Sequence, residues 1–148
     1  MLELRIPPAT FDVSEKGAVT GAVYFEVDGE AFPDEGWSDF VVVVLSWWCE
    51  ALAELGRGAS PTLRFMDGPY AVEVEPDGGS VVVSLRFLRD GDEARGPATL
   101  PAAELRWQVL GAARQLLEYC EREGVGGRDV ESLRRGVAAL SAAPGAAR

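Results

Sequence analysis

FVVVVLSWWCEALAEL, residues 40–55, is the stretch on which the fold turns. Four consecutive valines, Val41 to Val44, favour a strand locally, because a branched Cβ packs well on a pleated surface. The run passes without a break into Cys49–Leu55, which is good helix material, and it stops at Gly56. Val41, Leu45, Trp48, Leu52 and Leu55 fall on one helical stripe. The spacing predicts a largely buried helix over 39–55, with Ser38 or Asp39 as its N-cap. The rival reading is a strand at 40–45 followed by a helix.

Upstream, LELRI alternates, with Leu2, Leu4 and Ile6 on one face, and Pro7-Pro8 closes that strand. Residues 9–18 read as a loop. Residues 19–27 read as one strand, with Val23, Phe25 and Val27 facing one way and Tyr24 and Glu26 the other. Asp28-Gly29 is a hairpin signal, since a type I′ turn needs positive φ at both central positions. Glu30–Phe32 returns from it.

Downstream, residues 62–66, 69–76 and 80–89 read as three antiparallel strands joined by Asp67-Gly68 and Asp77-Gly78-Gly79. Leu63 and Phe65, then Tyr70, Val72 and Val74, then Val81, Val83, Leu85 and Phe87 form the inward face. Arg64, Glu73, Glu75, Ser84 and Arg86 form a charged outer face. Residues 90–98 read as a charged loop. Pro101 opens a helix to about Glu123, with Leu105, Val109, Ala112, Leu116 and Cys120 on one stripe. Asp129 caps a last helix over 130–141, with Val130, Leu133, Val137 and Leu140 inward, and 142–148 is a flexible tail. The order predicts a single α+β domain over 1–141. It has a mainly antiparallel sheet of about five to six strands with helices packed on one face.

The formal net charge is −10, and there is no histidine. That balance argues against nucleic acid or an anionic membrane as partner and favours a basic protein, or serves solubility. The first 39 residues carry −7, whereas residues 99–148 carry +1. Without histidine there is no Ser-His-Asp or Cys-His catalysis and no histidine-ligated zinc. Cys49 and Cys120 sit in apolar helical contexts and read as buried core thiols. No phosphate-loop spacing of glycines occurs. No cofactor and no metal are expected. The opening MLELRIPP lacks a basic stretch followed by an apolar one, so the expectation is no secretory signal and a cytoplasmic location.

The remaining leads are acidic and aromatic. Asp28, Glu30, Asp34, Glu35 and Asp39 cluster around the hairpin and the start of the first helix, with Trp37 among them. These six form the candidate partner-binding surface, where carboxylates steer a basic partner and an aromatic anchors it. Trp37 is expected to be partly exposed, and Trp47 and Trp48 to pack in the core. The segment FPDEGWSDFVVVVLSWW, residues 32–48, with MDGPY at 66–70 and a C-terminal helix pair, resembles small bacterial proteins of the polymorphic-toxin immunity type. The resemblance implies a cytoplasmic protein that binds and blocks a cognate toxin, an acidic inhibitor suiting a basic nuclease. It assigns no functional residue. A second reading is a small-ligand binder or carboxylate-based enzyme with a pocket between sheet and helices. A third is a homodimer formed through a sheet edge or face.

Overall fold

The four valines are helical. In the computed structural model, which describes residues 1–89 and 92–143 and gives only the backbone course of 92–95, helix α1 spans Val41–Leu55. It buries Val41, Val42, Val44, Leu45, Trp48, Cys49 and Leu52, which is more than one helical face. The β-preference of valine is weak beside burial on several sides, so tertiary packing decides the conformation. The helix starts two residues later than the sequence suggests. Ser38–Asp39 instead form a short strand, and Phe40 occupies the N-cap with no side-chain cap bond.

Among the described residues ten strands form three small antiparallel sheets. The first is β1 (Leu2–Arg5), β4 (Tyr24–Val27) and β5 (Glu30–Phe32), in the order β1-β4-β5. The second is β7 (Thr62–Arg64), β8 (Tyr70–Asp77), β9 (Ser80–Phe87) and β10 (Asp92–Pro101), in the order β10-β9-β8-β7. The third is β2 (Asp12–Val13), β3 (Val19–Ala22) and β6 (Ser38–Asp39), in the order β2-β3-β6. The α+β class and the antiparallel pairing are those read from the sequence, but the strands divide among three sheets.

The division comes from a break in the expected 19–27 strand. At Val23 the backbone N–H donates to the Trp37 carbonyl at 2.8 Å, and the chain passes from β3 in one sheet to β4 in another. The hairpin turn is as expected, with φ of 51° at Asp28 and 85° at Gly29.

The meander has a fourth strand where a charged loop was expected. β10 begins at Asp92, while residues 90 and 91 lie outside the described residues, as do 144–148 of the expected tail. Two register shifts between Glu93 and Ala98 erase the period-two alternation that would have marked the strand. Pro97 is tolerated because β10 is an edge. Pro76 in β8 lies beyond the stretch paired with β7, where its missing N–H costs no ladder bond.

Helices α2 (Ala102–Arg122) and α3 (Arg128–Ala142) complete the chain. Asp129 lies in the first turn of α3 and not at its cap, which is Gly127 at φ 109°. α1 and α2 pack against the strands, and α3 packs chiefly against α1. Trp48 anchors the interior. It stacks on Phe25 at 5.4 Å, meets Phe65 edge-on at 5.3 Å, and donates its indole N–H to the Arg64 carbonyl at 2.8 Å. On its other side α1 approaches α3 closely. A Cβ on Gly136 would stand 3.1 Å from Cys49 Cβ and 3.3 Å from the Ser46 carbonyl oxygen.

Gly136→Val therefore wedges α3 away from α1. The expected loss is about 1–3 kcal/mol of stability, read as a lower urea midpoint with an unchanged slope.

Candidate functional site

The loop between β5 and β6 is built to hold a shape. The Trp37 N–H donates to the Asp34 carbonyl at 3.1 Å, closing a turn with Gly36 at φ 70°. The Glu35 N–H donates to Asp34 Oδ1 at 2.9 Å. The chain then enters β6, and at its end Asp39 turns inward, 2 % exposed.

A buried carboxylate needs donors, and Asp39 has four. Its Oδ1 accepts the Phe40 N–H at 2.7 Å. Its Oδ2 accepts the Met66 and Asp67 N–H groups, each at 3.1 Å, and the Trp37 indole N–H at 3.4 Å. One side chain thus fastens the loop, the start of α1 and the 66–69 turn together. The aromatic rings follow: Trp37 meets Tyr70 edge-on at 5.2 Å, and Phe32 meets Tyr70 at 5.6 Å and Phe65 at 6.2 Å. Gly68, at φ 74°, lies under both rings. A Cβ there would fall 2.9 Å from Tyr70 and 3.1 Å from Trp37 Cη2.

The six residues expected to form one surface divide into three groups. Asp28 and Glu30 are exposed at the β4–β5 hairpin tip, where Asp28 pairs with the N-terminal ammonium at 2.7 Å. Asp34 and Glu35 are exposed and Trp37 is half-buried at the corner, at the other end of the three-residue strand β5. Asp39 is inside, its carboxylate spent on backbone and indole, so as a member of an exposed acidic patch it is a correction. Sequence reading also missed Asp67, exposed on the 66–69 turn, and two apolar neighbours. Met66 is 40 % exposed. Leu88 is 39 % exposed, with its N–H donating to the Pro69 carbonyl at 2.6 Å. The contact joining Asp67 to Asp39 spans 28 residues, which no local spacing announces. The two stretches quoted for their motif-like look, 32–48 and 66–70, are therefore the two sides of one corner.

Trp47, expected in the core, is 41 % exposed on α1, and Trp107 is 57 % exposed on α2. Between β1, the end of β10 and α2 lies an open groove of about 560 Å³, bordered by Leu2, Glu3, Leu100, Glu104 and Gln108. Among the described residues, no group of three or more acidic or cysteine side chains is placed to hold a metal ion, and no helix is long and apolar enough to cross a membrane.

Comparisons with protein-family models, with curated proteins and with solved structures gave no match.

Both cysteines are buried. Burial pushes the Cys49 thiol from its ordinary 9.0 up to about 12. Glu50 adds to the shift and Arg114 opposes it. Burial likewise raises Cys120, with Arg134 opposing. A thiol raised on folding stabilises the fold below its unfolded pKa, and that contribution is lost as pH rises from about 9 to about 12. At pH 8 the native protein is expected to react with a thiol-specific disulfide reagent only as fast as it opens; immediate stoichiometric labelling would refute the burial.

Asp39→Ala strands three backbone donors and an indole under the corner. It is expected to cost about 3 kcal/mol or more in urea unfolding. Asp39→Asn, which keeps the shape and turns one acceptor into a donor, is expected to lose about 1.5–3 kcal/mol. An unchanged midpoint in both variants would mean that Asp39 does not hold the corner.

Proposed function

We propose that this chain is a non-catalytic acidic binding protein of the immunity type, which docks a basic, toxin-like protein in the cytoplasm and blocks it. The observation that carries this reading is the corner itself. Half-buried Trp37 and Tyr70 meet edge-on, and Met66, Leu88, Asp34, Glu35 and Asp67 are exposed on the segments bonded at this corner. Exposed apolar side chains, aromatic rings and exposed charge together are the make-up of a protein interface. The corner is pinned before any partner arrives, so little ordering entropy opposes binding. The net charge of −10 speeds encounter with a basic surface.

The alternative, a small-ligand binder or carboxylate enzyme, draws on the groove between β1 and α2, where Glu3 and Glu104 stand. The Glu3 carboxylate there is already held by Arg5 at 2.7 Å, which favours the first reading.

The test uses the basic protein encoded beside this chain, measured by calorimetry at two salt concentrations. Wild-type binding is expected to weaken with salt. Asp34→Lys with Glu35→Lys, and separately Met66→Asp, are expected to weaken it by about tenfold or more. Full affinity in both variants, or no binding of that protein by the wild type, overturns the reading.

A further inference from the structure

The sulfur atoms of this chain belong to four residues, Met1, Cys49, Met66 and Cys120. Oxidation of a sulfur follows its exposure and, for a thiol, its thiolate character. Both thiols are wholly buried, and burial raises the pKa of each, so neither presents a reactive thiolate at neutral pH. The two thioethers are exposed. Met1 stands at the β4–β5 hairpin, where its ammonium pairs with Asp28. Met66 stands at the corner.

The backbone at Met66 is held without help from its side chain. Its N–H donates to Asp39 Oδ2 at 3.1 Å, and the Asp67 N–H does the same at 3.1 Å. On its other side Phe65 is buried edge-on against Trp48, and the Phe65 N–H donates to the Tyr70 carbonyl at 3.3 Å. The Met66 side chain is not among those packed on the core. A change of polarity at its sulfur therefore leaves the fold in place and alters only what a partner touches. An oxygen on that sulfur turns a flexible apolar side chain into a polar one. The exposed acids of the corner, Asp34, Glu35 and Asp67, accept hydrogen bonds and donate none when ionised, so they cannot satisfy the new oxygen.

We propose that Met66 is an oxidation site that switches the corner: a hydroperoxide converts its thioether to the sulfoxide, and the corner then loses affinity for its basic protein partner. The proposal rests on the reading of the corner as the docking surface. In the forward step the sulfur lone pair attacks the terminal oxygen of the hydroperoxide. An S–O bond forms, the O–O bond breaks, and the peroxide proton leaves with the other oxygen as water or an alcohol. Sulfur gives up two electrons and the peroxide takes them. A dithiol-dependent methionine sulfoxide reductase returns two electrons and two protons, and the oxygen leaves as water.

The full chain is treated with dilute hydrogen peroxide, mapped by peptide mass spectrometry, and titrated by calorimetry against the basic protein encoded beside it. Met66 is expected to gain one oxygen, Cys49 and Cys120 to stay unmodified, and the urea midpoint to stay unchanged. Affinity is expected to fall about tenfold or more, and to return after treatment with the two reductases that act on the two sulfoxide epimers. Met66→Leu keeps the surface apolar and leaves Met1 as the one thioether; it is expected to bind as the wild type does, before and after peroxide. Met66 left intact while Met1 is fully oxidised overturns the switch. So does unchanged affinity of the oxidised wild type, or an equal loss in peroxide-treated Met66→Leu. If the untreated wild type does not bind that protein, the reading of the corner falls and the switch with it. If it binds and oxidation of Met66 changes nothing, the switch alone falls.

Discussion

The carboxyl side chain of Asp39 sits inside this protein, 2 % exposed, and the surface above depends on how it is satisfied. Asp39 must find donors or carry a large desolvation penalty. It finds them at Trp37, Phe40, Met66 and Asp67, so one carboxylate closes a loop, marks the start of α1 and holds a turn from the other half of the chain. The edge-on contact of Trp37 with Tyr70, and the need for glycine at position 68 beneath them, go with that closure. The exposed acids Asp34, Glu35 and Asp67 are where they are because Asp39 is not exposed.

Beneath the corner, α1 acts as the spine between strands and helices. Its Trp48 face meets Phe25 and Phe65, and its Cys49 and Ser46 face meets α3 at Gly136. Covering α1 on two sides permits four valines in a row to be helical, and it leaves Trp47 on the remaining side, partly in water. The same economy appears at the strand edge, where Gln108 of α2 completes β1 with a side chain in place of a neighbouring strand.

Much of the fold was legible in the chain because it rests on local rules. Alternation in 80–87 and 70–75, the Asp28-Gly29 turn and the stripes of α2 and α3 each report a period or a turn geometry that neighbouring residues enforce. Strand β10 was not legible, because its register shifts break the alternation and its glycine and proline read as loop. The break at Val23 was equally hidden: an unbroken run of strand-forming residues does not say that Trp37 will take the Val23 N–H. At the candidate site exposed Asp34 and Glu35 and half-buried Trp37 were singled out from charge and aromatic content. Asp39 looked the same in sequence as its acidic neighbours and proved to be their foundation.

What the sequence determined by itself was the class of the protein. Its antiparallel strands and amphipathic helices follow from hydrophobic period, its acidity from composition, and its lack of histidine chemistry from the residues it does not contain. What only the tertiary structure decided was which residues meet. The 66–69 turn reached Asp39 across 28 positions, and Gln108 reached Leu4 across 104. Contacts at such separations are selected by packing of the whole core, and a local pattern carries no trace of them.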